Sequence, residues 1–152
     1  DSRTSAELIF DQGLGDIFSI RIAGNFANQD ILGSMEFACN VAGSKLVVVL
    51  GHTKCGALKG GLDAPQIEGL GMDNLNHLIY HFESCIHEII KEGEERSSKN
   101  DDLLDRLTLC NIQKTIEDIR HQSSTLRNLE KEGKIKIVGA NYDVETGVVT
   151  WL

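Results

Sequence analysis

The chain has 152 residues, 41% of them hydrophobic and 25% charged, and a formal net charge of -8 at pH 7. That length and apolar fraction suffice for a real core within one domain over residues 1–152. The acidic balance argues against nucleic acid and anionic membrane surfaces as partners, and no apolar stretch approaches the length of a membrane span.

Residues 4–11 read as a short helix, with Thr4 as its cap and Glu7 completing a capping-box pattern. Residues 16–22 read as a strand carrying Ile17, Phe18, Ile20 and Ile22. After a loop over 23–29, Asp30 is expected to cap a helix running to about Ala42, with Ile31, Met35, Ala38 and Cys39 on one face. Residues 45–50 are apolar and rich in β-branched side chains, which predicts a short buried strand. Residues 55–61 predict a glycine-tolerant helical turn, and residues 62–71, with Pro65, a surface loop.

Residues 73–92 predict one helix with Leu75, Leu78, Ile79, Phe82, Ile86 and Ile90 on its apolar side. An exposed connection follows, in which Glu92, Glu94, Glu95 and Arg96 read as a solvated face. Residues 102–132 are a long helix or a broken pair, closed by Gly133 as C-cap. A strand over 134–140, a turn over 143–147 and a last, antiparallel strand over 148–151 complete the chain. The alternation predicts an α/β fold: a mainly parallel sheet flanked by helices, with an antiparallel C-terminal strand.

Chemistry concentrates where the buried strand ends, in Gly51-His52-Thr53-Lys54-Cys55-Gly56. Open α/β sheets place their sites at the carboxyl ends of strands. An imidazole and a thiolate three residues apart form a borderline-soft donor pair that suits zinc. The other cysteines, Cys39, Cys85 and Cys110, read as buried or partly buried thiols rather than ligands or disulfides, which fits a reducing compartment. His77 and His81 stand at i, i+4, a spacing able to bind metal. Lacking a third ligand, they read as exposed helix histidines, and His87 and His121 receive no functional reading.

Four motifs in order, Asp1-Ser2-Arg3, Arg21-Ile22-Ala23-Gly24-Asn25, the His52/Cys55 segment, and Ile137-Val138-Gly139-Ala140-Asn141-Tyr142-Asp143 with Thr146-Gly147-Val148-Val149, resemble the β-class carbonic anhydrases. The resemblance covers nearly the whole chain. It implies zinc-dependent, reversible hydration of carbon dioxide to bicarbonate and a proton by zinc-bound hydroxide, with one Zn2+ per subunit. Two alternatives remain: a carbonyl sulfide or carbon disulfide hydrolase on the same fold, and a catalytically silent zinc-binding scaffold.

By the same resemblance His52 and Cys55 are two metal ligands, and the third is a Cys two residues before Asp1. That Cys, its strand and the helices before it are absent from the chain, so a trimmed part of a longer polypeptide is expected. The resemblance gives Asp1 and Arg3 a catalytic role, the arginine holding the carboxylate so that it orients the hydroxide. It gives the Gly56 amide an anion-binding role. Thr4 stands where the family's inhibitory bicarbonate site has Val, and Arg21 could match that site's Arg, which suggests the constitutively open subtype. A homodimer or dimer of dimers, in the cytoplasm, is expected.

Overall fold

The computed structural model describes residues 4–67 and 71–152. Asp1 and Arg3 therefore lie outside the described residues. Among the described residues three strands form one sheet in the order β1-β2-β3: β1 (Leu46–His52), β2 (Lys136–Tyr142) and β3 (Val149–Trp151). β1 and β2 are parallel, with His52 opposite Tyr142, and β3 returns antiparallel to β2, as the alternation predicted. The helices are α1 (Ala6–Ile9), α2 (Gln29–Glu36), α3 (Gly56–Leu62), α4 (Ala64–Ile67), α5 (Asp73–Tyr80), α6 (Glu83–Ile89), α7 (Asp101–Gln122) and α8 (Ser124–Lys131). The result is an α/β fold, rich in helix, with a small mixed sheet.

Residues 16–22 depart from expectation, because none of them joins the sheet. They do not pair with β1; instead Phe18, Ile20 and Ile22 and residues 46–50 line a common cavity of about 680 Å3. Strands pair only near 4.8 Å apart, so sequence with strand character stays outside the ladder.

Caps account for other differences. Thr4 does not cap α1; Ser5 precedes it, and the Ser5 hydroxyl donates to Glu7 at 2.9 Å. The cap of α2 is Asn28, whose Oδ1 accepts from the Ile31 amide at 3.0 Å, and not Asp30, which sits inside the first turn. The helix then widens into one π-helical turn, Phe37–Val41. The stretch containing Pro65 is partly helical, as α4, with Ala64 buried; proline is tolerated in a first turn because its missing N–H has no helical partner there.

The expected single helix over 73–92 breaks between α5 and α6. Phe82 stands at the break, fully buried, with its ring against Gly61 and Gly24. The expected 102–132 helix is a broken pair, and Ser123 is the reason. Its hydroxyl accepts from the Leu126 amide at 3.1 Å, starting α8, and donates to Glu36 at 2.5 Å. Serine competes for backbone groups in this way and favours caps over helix interiors.

α7 serves two cores. Its Leu103, Leu104 and Leu107 pack with Cys55, Leu58, Leu62, Phe82, Cys85 and Ile86. One turn on, Ile112 and Ile119 pack with Val49, Ile137, Leu32 and Leu126 under the sheet. The close approach of α7 to β1 needs Gly51, where an added Cβ would lie 2.6 Å from Ile112 Cδ1.

Cys85 and Cys110 are joined as a disulfide, which corrects their reading as thiols, whereas Cys39 is a free, buried thiol. α6 and α7 run side by side and bring the two Cα atoms to 5.9 Å, a proximity invisible in a sequence separation of 25. In the chain-entropy account, closing such a loop stabilises the fold by about 3 kcal/mol. Arg96 is likewise no member of a solvated face. It donates to Gly61 O at 2.7 Å, to Leu62 O at 3.2 Å and to the Glu83 carboxylate, pinning the end of α3. Glu94 pairs with Arg106 and accepts from Asn100.

On the far side, Arg120 holds Glu130 through two 2.7 Å bonds, and its guanidinium keeps that carboxyl below the usual range. A depressed folded pKa means the stabilisation is complete above the unfolded value near 4.5 and is lost as pH falls through the folded value. Both groups are partly exposed, so the pair is worth about 1 kcal/mol at most. Melting curves should therefore show Glu130→Gln less stable than the parent near neutrality, with the gap closing as the pH falls below the ordinary carboxylate value of 4.5. An unchanged gap over that range would refute the assignment.

Candidate metal and active site

His52 is the last residue of β1 and is 1% exposed. Its Nδ1 lies 2.8 Å from the Thr53 carbonyl oxygen. A carbonyl only accepts, so Nδ1 carries a proton, and in the neutral ring it is Nε2 that has the lone pair for a metal. Cys55, fully buried, is the N-cap residue of α3 and lies beside the His52 ring. Burial pushes the Cys55 thiol up, but the adjacent His52 ring and the amides of Leu58 and Ala57 at the start of α3 outweigh it and bring the pKa below the ordinary value. Helix-start amides favour thiolate in this way.

The donor set thus fits zinc: a neutral imidazole in a fixed tautomer and a thiol biased toward thiolate, both at one strand end. Among the described residues no third His, Cys, Asp or Glu joins them in a metal-sized group. Gly56 is the exposed first residue of α3, with nothing within 4 Å of where a Cβ would be.

The loop carrying these donors is held by the segment after β2. Thr53 N donates to Tyr142 O at 2.9 Å, Val144 N donates to the Thr53 hydroxyl at 3.0 Å, and Lys54 pairs with Glu145. Asp143 shapes that segment by accepting from the Glu145 and Thr146 amides at 2.8 and 3.3 Å. This explains why Tyr142-Asp143-Val144-Glu145-Thr146-Gly147 accompanies the His52/Cys55 motif, although the two lie about 90 residues apart.

His52 opens onto a cavity of about 400 Å3 lined by Thr4, Ser5, Leu8, Ile9, Tyr142 and Val144. α1, which buries none of its own residues, forms its wall. The Gly24-Asn25 turn lies across Ala57 and Phe82, with φ of +80° and +43°. Asn111 of α7, 4% exposed, donates to Gly24 O at 2.8 Å and fixes that turn. Nothing in the spacing of Asn111 marks it, since its partner is 87 residues away. Arg21 donates to Thr4 O at 3.0 Å, so the two positions compared with the inhibitory site are neighbours.

A buried imidazole and thiol ending a parallel strand, beside a partly apolar cavity, are the donors that a metal-dependent α/β enzyme would use. Residues 1–149 match the family model described as carbonic anhydrase. Carbonic anhydrase 2 of Mycobacterium tuberculosis is 33% identical over 147 residues, 97% of this chain and 68% of that protein. The carbonic anhydrase of Mycolicibacterium smegmatis is 32% identical over 98% of this chain and 69% of its own length. The solved β-carbonic anhydrase CcaA superposes with a TM-score of 0.85 at 25% identity, over 99% of this chain and 69% of that one. CafA of Aspergillus fumigatus gives 0.85 at 27%, over 100% and 71%. The chain belongs to the carbonic anhydrase family, in its β class, and its reaction is the hydration of carbon dioxide.

Proposed function

We propose that one Zn2+ per subunit is held by His52 Nε2, Cys55 Sγ and a third protein ligand that the described residues do not include. The observation that carries this reading is the Nδ1 bond to Thr53 O, which leaves Nε2 as the basic nitrogen beside a thiol biased toward its anion. Zinc when bound supplies a Lewis acid that brings the pKa of water to about 7. The chain's own residues do the rest. Leu8, Ile9 and Val144 give carbon dioxide an apolar wall beside His52. By the family resemblance Asp1, paired with Arg3, would accept a hydrogen bond from the O–H of the attacking oxygen and so orient its lone pair toward the substrate carbon. The Gly56 amide faces the anionic product at the start of α3. The Thr53 and Lys54 clamps keep His52 and Cys55 aimed at one point.

A homodimer or dimer of dimers accompanies this reading. Its support is an exposed apolar face with Phe18, Phe37, Val41 and Leu46 each about half exposed or more, Phe18 and Phe37 having ring centroids 6.2 Å apart.

Stopped-flow hydration of carbon dioxide, read beside metal analysis, tests the site. The expected result is one zinc per chain, activity lost on chelation and restored by Zn2+, and faster turnover of carbon dioxide than of carbonyl sulfide. Full activity in metal-free protein would overturn it.

A further inference from the structure

His77 and His81 lie one turn apart on the exposed side of α5 and at its C-cap, with ring centroids 5.3 Å apart. Neither belongs to the His52/Cys55 site. Ring nitrogens bind zinc at about 2.0–2.1 Å, which puts two imidazoles on one tetrahedral ion roughly 5 Å apart, centre to centre. The observed separation matches.

The orientation of one ring is already set. His81 stacks on Phe26 with centroids 4.0 Å apart and planes 18° from parallel. Stacking uses the face of the imidazole, whereas coordination uses an in-plane lone pair, so the two are compatible. His77, at 83° to His81, is exposed and reaches a converging orientation by turning about χ2, a broad torsion. Burial and the neighbouring His77 lower the His81 pKa against a smaller upward pull from Asp118, which favours the neutral, ligating form. Among the described residues no third His, Cys, Asp or Glu completes a cluster.

We propose that His77 and His81 form a second, solvent-facing site for a borderline divalent cation of the Zn2+, Ni2+ or Cu2+ type, which imidazole suits. This inference is independent of the assignment of His52 and Cys55.

Calorimetric titration of Ni2+ into the zinc-loaded protein tests it, with His77→Gln, His81→Gln and, as an exposed control, His121→Gln. The expected result is binding in the parent and in His121→Gln, weakened at least about tenfold in each of the other two. Carbon dioxide hydration before Ni2+ is added should be the same in all four, showing an intact fold. Cu2+ in the parent should give an electron paramagnetic resonance spectrum with two nitrogen ligands. Binding unchanged in both variants would overturn the proposal. Weakening in one variant alone would mean a single-imidazole contact and would overturn chelation equally.

Discussion

Cys55→Ala is expected to lose zinc and, with it, carbon dioxide hydration. The sulfur is a proposed ligand, and removing a ligand must exceed the 10–100-fold loss of affinity typical of outer partners, so a fall of more than about 100-fold is expected. The fold should survive, because Ala keeps the backbone at the start of α3 and the cluster around Leu58, Leu62 and Leu107 remains. Cys39→Ala is the matched control: a buried free thiol in the other core, with no role in the site. Zinc content by elemental analysis, beside stopped-flow rates, checks both. A zinc-replete, active Cys55→Ala protein would remove Cys55 from the metal and leave the fold assignment untouched.

Gly24→Ala is expected to cost about 2–5 kcal/mol of stability. Gly24 has φ +80°, which an L side chain adopts at about 1–2 kcal/mol. The added methyl would also lie 2.3 Å from Phe82 Cζ and 3.3 Å from Ala57 Cβ. Phe82 is fully buried and cannot swing away, and overpacking of that kind costs about 1–3 kcal/mol more. Because Asn111 holds the same turn by its carbonyl, the strain passes to α7 rather than being released in a loop. Gly33→Ala in α2 has open space at its Cβ and should be neutral or stabilising by up to about 1 kcal/mol. Urea unfolding of the three proteins separates the cases. A Phe82→Leu change added to Gly24→Ala should recover part of the loss, whereas equal stability of Gly24→Ala and Gly33→Ala would contradict the geometry.

The parts of the molecule that were legible share a local cause. Residues 45–50 are β-branched and apolar, Gly51 and Gly56 bracket a His-x-x-Cys, and Gly133 ends a helix at φ +69°. Each signal lies within a few residues of the feature it predicts, so backbone preference and side-chain chemistry suffice to read it. The same locality misled at residues 16–22, where strand character has no strand at pairing distance, and at 73–92, where helical periodicity runs past Phe82.

The chain by itself therefore determined the α/β alternation, the strand that ends at His52, the placing of His52 and Cys55 together at its end, and the loop glycines. Tertiary structure alone decided what holds that pair in place: Tyr142 and Val144 on Thr53, Glu145 on Lys54, Asn111 on Gly24, and the Cys85–Cys110 bridge beside Phe82. It also decided that the His81 ring rests on Phe26. Most of these contacts join residues 25 to 91 positions apart. Propensity and spacing act over a turn or a strand, whereas contacts at such range exist only after the helices have packed on the sheet.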